Sequence, residues 1–272
     1  MVRRGLSEPG EGGQETVRLL AVSDLHQSEA LYRQLGEAVA LHKPDAVALL
    51  GDFLDALGVA SGQLSVRGCA EAVAALPVRE VVVVRGNHED WNYVGFAAAL
   101  RDIGREVVTL HGEACRVGSL TLVGFPTRLG DETAFTLTKE PLPGHMDGWL
   151  PRVVRRIGPA ARVLWLMHEP PLGTPLSMPS GPIGGNAEWT EAIERFQPWL
   201  VVFGHDHETP GRNGHWHHVL GSTRVVNVGQ SDGGALHFTR IDATFGPGGG
   251  GIPRRMRVTG YPWDQSVEVP PC

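Results

Sequence analysis

VVVVRGNHED, residues 81–90, sets four valines directly against Arg85, Gly86, Asn87, His88, Glu89 and Asp90. The run is too short and too β-branched for a helix and reads as a strand buried on both faces. Its polar residues begin where the strand ends. The same arrangement recurs to either side. VRLLAVSDLH (17–26) places Asp24 and His26 past a strand, and AVALLGDF (46–53) places Asp52 there. VLWLMHEP (163–170) delivers His168, and LVVFGHDH (200–207) delivers His205 and His207. Open α/β sheets bind ligands outside the carboxyl ends of their strands, so five strand ends bring these donors to one rim.

Further apolar runs at 120–125, 225–228 and 236–241 also read as strands. Helical spacing appears between runs: Leu31, Leu35, Ala38 and Val39 share one face, as do Leu150, Val153, Val154 and Ile157, and again Trp189, Ala192, Ile193 and Phe196. Strands alternate with helices in the first half and dominate after Phe203. The pattern predicts an α/β core with a second sheet completed by the C-terminal strands. Residues 1–15 read as a flexible polar tail, 16–242 as one domain, and 243–272 as a Gly/Pro-rich extension after the break at 246–251.

Any one strand-end block is a common turn, since Gly and Asp both tolerate turn geometry. Five in order, each with oxygen or nitrogen donors, point to a metal site. Residues i and i+2 of an extended chain project to the same side, which pairs Asp24 with His26 and His205 with His207. Imidazole, carboxylate and amide donors without thiolate suit Mn²⁺, Fe, Zn²⁺ or Ni²⁺.

Hydrophobic residues make up 42% of the 272-residue chain and charged residues 20%, which excludes a disordered or fibrous protein. A net charge of -6 speaks against a protein that coats nucleic acid or an anionic membrane. Cys69, Cys115 and Cys272 are widely spaced and form no C-x-x-C pair, so they read as thiols rather than a disulfide or zinc framework. The N-terminal residues lack the apolar segment of a signal peptide, and no apolar run is long enough for a membrane helix. The expected location is the cytoplasm. His215, His217 and His218 read as a rim patch, and Trp165, Trp189 and Trp199 as core. Glu29 and Arg33 read as a solvated helix pair at i, i+4.

Taken together, Asp24-Leu25-His26, Gly51-Asp52, Gly86-Asn87-His88-Glu89, His168 and Gly204-His205-Asp206-His207 resemble the calcineurin-like metallophosphoesterases, whose pattern is D-x-H, G-D, G-N-H-[DE], H and G-H-x-H. The resemblance runs from about Val17 to Ile241. It implies a four-layer αββα sandwich with a dimetal site at the strand ends. It further implies that Asp24, His26 and His207 hold one metal, that Asn87, His168 and His205 hold the other, and that Asp52 bridges them. His88 matches the family's non-ligand histidine and would lie beside the scissile phosphate. The catalytic set is then His88, Asn87 and Asp52, with two divalent cations, manganese first. A metal-bridging hydroxide would attack phosphorus while His88 protonates the leaving oxygen, oriented by Glu89 or Asp90.

Two departures narrow the reading. Protein serine/threonine phosphatases carry G-D-x-x-D-R-G at the second block, whereas Ala56 stands here in place of the arginine. Purple acid phosphatases carry a tyrosine where this chain has Asp55. The likeness is to compact bacterial-type phosphoesterases and cyclic-nucleotide phosphodiesterases, with the Pro/Gly-rich loop at 170–185 walling the site. The expected substrate is a small phosphodiester, with neither membrane nor long nucleic acid as partner. The alternatives are a phosphomonoesterase, a nuclease, or a silent scaffold of the same fold.

Overall fold

A computed structural model describes residues 14–55, 60–125, 150–178, 184–230, 234–247 and 251–270. Its elements run β1 (Glu15–Val22), α1 (Glu29–His42), β2 (Ala46–Leu50), α2 (Val66–Ala74), β3 (Glu80–Val84), α3 (Glu89–Ile103), β4 (Val108–Thr109), β5 (Glu113–Val117) and β6 (Leu120–Gly124). There follow α4 (Leu150–Ile157), β7 (Leu164–Leu166), α5 (Ala187–Phe196), β8 (Leu200–Phe203), α6 (Thr209–Asn213), β9 (His217–Leu220), β10 (Thr223–Asn227), β11 (Phe238–Phe245), β12 (Arg255–Tyr261) and β13 (Gln265–Val269).

The strands form two sheets, β13-β12-β11-β1-β2-β3-β4 and β5-β6-β7-β8-β10-β9. The pleat sends alternate residues to opposite faces. Leu19 and Ala21 of β1 therefore enter the core between the sheets, while Leu20 and Val22 pack under α1, α2 and α3. In the second sheet Leu164 and Leu166 face inward, and Trp165 faces out beneath α4 and α5. Three cores thus separate four layers, helix, sheet, sheet and helix, as the resemblance implies. Trp165, Trp189 and Trp199 are buried in these cores.

Local chemistry sets the helix limits. Ser28 caps α1 by accepting from Leu31 N, and Asn186 caps α5 by accepting from Glu188 N. The predicted faces of α1, α4 and α5 are the buried ones, apart from a partly exposed Leu31 and Ile157 at their ends. Arg33 pairs forward with Glu37 at 3.1 Å, the other i, i+4 neighbour, instead of with Glu29.

The C-terminal residues differ from the sequence reading. β9 and β10 complete the second sheet, but β11, β12 and β13 return to the first. β11 runs past residue 242, with Ala243 and Phe245 buried, so the proposed boundary falls inside a strand. Met256, Val258 and Val269 of the supposed extension belong to the core between the sheets. Their alternation was masked by Gly, Pro and Arg around them. No described helix is long and apolar enough to cross a membrane.

Candidate metal centre

The donors come from loops that leave the strands in an unusual conformation. Asp24, His26, Gln27, Asp52 and His205 all have positive φ, between 43° and 67°. A left-handed conformation at a non-glycine residue costs on the order of 1–3 kcal/mol and persists only where its surroundings enforce it. Here the backbone does so: Asp24 N donates to Gly51 O at 2.9 Å, His26 N to Asp52 O at 2.8 Å, and Gln27 N to Phe53 O at 3.2 Å. The Glu89 carboxylate adds a second lock, accepting from Asp52 N and Leu54 N at 2.9 Å and from Gly86 N at 2.6 Å. Burial, then the nearby Asp52 carboxylate, pushes its pKa up to about 8.

Two groups of donors hold the expected ligands, beside a third formed by His26, Asp55 and His88. In the first, His207 Nε2 lies 3.2 Å from Asp24 Oδ1 and 3.3 Å from His26 Nε2. In the second, His168 Nε2 lies 3.2 Å from Asp52 Oδ2, 3.1 Å from Asn87 Oδ1 and 3.2 Å from His205 Nδ1. Asp24, His26 and His207 meet in one group, and Asp52, Asn87, His168 and His205 in the other. The extended-chain argument for pairing His205 with His207 does not hold. The φ of 67° at His205 turns the chain, and the two rings enter different groups.

The donor chemistry fits cations. His168 Nδ1 donates to Leu50 O at 2.8 Å, which orients the ring so that Nε2 faces Asp52, Asn87 and His205. Two pairs of imidazole nitrogens thus meet at hydrogen-bond distance beside the buried carboxylates of Asp24 and Asp52. Burial alone would favour neutral His168, yet the Asp52, Asp24 and Glu89 carboxylates hold its pKa up to about 10. Burial opposes ionisation of Asp24 and Asp52, but the imidazoles keep both below the usual carboxylate range. Such a cavity draws positive charge, and its nitrogen and oxygen donors suit a borderline divalent ion.

His88 stands apart. Its ring packs edge-on to His26 with centroids 4.8 Å apart, and its backbone N donates to Asp52 Oδ1 at 2.9 Å. Its Nδ1 lies 3.4 Å from Asp55 Oδ1, so the orienting partner is Asp55 rather than Glu89. Glu89 is spent on backbone amides; the Asp90 side chain lies outside the described residues. Asp55 is held in turn by Gln63, whose Nε2 donates to Asp55 Oδ2 and to His26 O, both at 3.0 Å. Sequence reasoning saw Asp55 only as a departure from two subfamilies. Spacing alone gave no signal for it: Asp55 follows Asp52 by three residues, and only the folded chain sets it beside His88. His217 packs against Trp216, and the described part of the 170–185 loop is pinned by Asn186 N donating to Pro170 O.

A sequence profile of calcineurin-like phosphoesterases matches residues 17–209. No curated protein matches the chain in sequence. Among solved structures, TT1561 of Thermus thermophilus superposes with a TM-score of 0.59 at 16% identity, covering 85% of this chain and 99% of that one. A dimetal phosphatase from Danio rerio gives 0.59 at 13% identity, with 93% and 98% covered. GAP50, the anchor in the inner membrane complex of Plasmodium, gives 0.56 at 8% identity, with 93% and 88% covered. These likenesses show a shared fold. The profile spans every strand end from Asp24 to His207, and the chain belongs to the calcineurin-like phosphoesterase family.

Proposed function

We propose that the protein is a dimetal hydrolase of small phosphodiesters, such as a cyclic nucleotide, acting in the cytoplasm. Asp24, His26 and His207 hold one divalent cation, Asn87, His168 and His205 hold the other, and Asp52 serves both. Manganese is the first choice, with Fe, Zn²⁺ and Ni²⁺ also suited to the donors. A pair of bound cations supplies a water of lowered pKa and neutralises charge on the phosphoryl oxygens. His88 donates its proton to the leaving oxygen, Asp55 orients the ring, and the Asn87 amide steadies a non-bridging oxygen.

The observation that carries the reading is His88. It lies beside one member of each donor group, edge-on to His26 and with its Nε2 3.8 Å from Asp52 Oδ2, while Asp55 Oδ1 stands 3.4 Å from its Nδ1. A silent scaffold, the reading suggested by the anchor role of GAP50, has no use for it. The Danio rerio neighbour, described as a dimetal phosphatase, is in keeping with hydrolysis. The diester preference rests on the second block, where Phe53, Leu54, Asp55 and Ala56 supply no guanidinium. A monoester dianion gains most from such a bidentate cation. The acidic net charge disfavours long nucleic acid. Buried free thiols at Cys69 and Cys115 suit a reducing compartment.

The test is kcat/KM with each of several divalent metals, against bis(4-nitrophenyl) phosphate, cyclic nucleotides, 4-nitrophenyl phosphate and an RNA oligomer. The expected result is a small diester as the best substrate. A monoester turned over at least tenfold faster under the same metal overturns the preference. No turnover with any metal overturns the enzymatic reading.

A further inference from the structure

A cavity of about 520 Å³ opens far from the metal centre, where the two sheets end side by side at β4 and β5. The C-terminal half of α3 closes it, and the first residues of β3 form its lower wall. His88 precedes α3 and Arg101 lies in its last turn, a separation of roughly 20 Å along the helix. The volume falls within the about 300–1,000 Å³ common to small-molecule sites.

Its lining has two characters. Ala97 and Val107 offer partly exposed apolar surface over the buried Leu100 and Val81, while Arg79, Arg101, Arg105 and Arg116 contribute guanidinium groups. Glu80 and Glu106 are the acidic residues of the wall, so cations exceed carboxylates four to two on a chain whose net charge is -6. Arg105 adds a specific sign. Its Nη2 donates to Val78 O at 2.6 Å, but its buried Nε has no hydrogen-bond partner among the described residues. A buried donor without an acceptor is unfavourable, and a turn of the Arg105 side chain toward an anion in the cavity would relieve it. Arg101 and Arg116 are exposed at the mouth.

We propose that this cavity is a second binding site, for a small phosphorylated compound with an apolar or aromatic ring. The ring lies against Ala97 and Val107, and the arginines take the phosphoryl oxygens through paired N–H bonds. The site is independent of the dimetal centre and of whatever substrate that centre takes.

Calorimetric titration of the metal-loaded protein with the hydrolysis-resistant α,β-methylene analogue of adenosine diphosphate tests this. Two variants leave the metal centre untouched: R101E/R116E, which reverses charge at the mouth, and Ala97→Phe, which fills the cavity without changing charge. The wild type is expected to show a binding event that both variants weaken at least tenfold. Both should keep the thermal melt and the diesterase kcat/KM within twofold of wild type. The proposal is overturned if both variants bind the analogue like the wild type, since the metal centre then accounts for all binding. It is equally overturned if only the charge reversal weakens binding, since that marks diffuse attraction rather than a built cavity.

Discussion

His88 Nδ1 and Asp55 Oδ1 face each other at 3.4 Å, and the opposite oxygen of Asp55 is anchored by Gln63 at 3.0 Å. A ring held this way turns Nε2 toward the donor groups, where it lies 3.8 Å from Asp52 Oδ2. Asp55→Asn is expected to lower kcat by about 10–100-fold, the usual worth of an orienting partner, with metal content unchanged. The loss should be larger for alkyl diesters than for 4-nitrophenyl diesters, whose leaving group needs little protonation. An equal loss for both would assign Asp55 a structural role only.

Variants at Asp52 and His88 are expected to separate metal binding from proton transfer. Asp52→Asn should abolish turnover and lower metal occupancy, because its carboxylate meets His168 at 3.2 Å in one group and its charge acts on His26 and His207 of the other. His88→Ala should keep about two metals per chain while the rate falls by about 10²–10⁴-fold. Metal analysis of the His88 variant checks the assignment: a lost ion makes His88 a ligand.

Gly86 is a steric requirement. A Cβ there would collide with Asp52 Oδ1 and sit 2.5 Å from Asp52 N. Gly86→Ala is therefore expected to displace the carboxylate and raise the metal concentration needed for half-maximal activity. An unchanged metal titration would show that the loop yields without moving Asp52.

His111 gives a pH dependence away from the metal centre. Burial, then the charge of Arg85, pushes its pKa down to about 4 from an ordinary 6.5. Between those values the unfolded chain holds the proton and the folded chain does not, so this contribution to stability is complete above the unfolded value and drains away as pH falls toward 4. After allowance for partial exposure it is on the order of 1 kcal/mol. Melting curves should show wild type losing more stability than His111→Gln between pH 7.5 and 4.5; parallel losses would count against it.

Removal of residues 247–272 should leave the protein insoluble. It strips two strands from β11 and uncovers Ile241, Ala243 and Phe245 in the core between the sheets. An exposed, apolar edge strand invites pairing with other chains. A soluble, monomeric truncation with a wild-type melt would refute this.

What the sequence made legible follows from how each feature is encoded. Strand ends such as VVVVRGNHED combine a continuous apolar run with polar residues at its close, so both the strand and its donors can be read locally. β12 could not be read this way. Its RMRVTGY alternates, but only Met256, Val258, Thr259 and Gly260 are buried, and its partner β11 lies beyond a Gly-rich break. Asp55 was missed because its role depends on a turn that spacing does not reveal. The division of His205 and His207 between two groups depends on one backbone dihedral, which a D-x-H or H-x-H motif does not record.

Each group of donors draws on both sheets. Asp24 and His26 follow β1, whereas their partner His207 follows β8 of the other sheet. Asp52 follows β2, whereas His168 and His205 follow β7 and β8. An ion in either group would therefore be a strut between two slabs, added to their apolar seam and to the His168–Leu50 and His205–Asp24 hydrogen bonds that already join them. Chelation should let the slabs shear, and amide exchange should quicken in β1, β2, β7 and β8 together while the outer helices keep their rates. In mechanical terms, the same fastening that would arm the centre would also stiffen the sandwich.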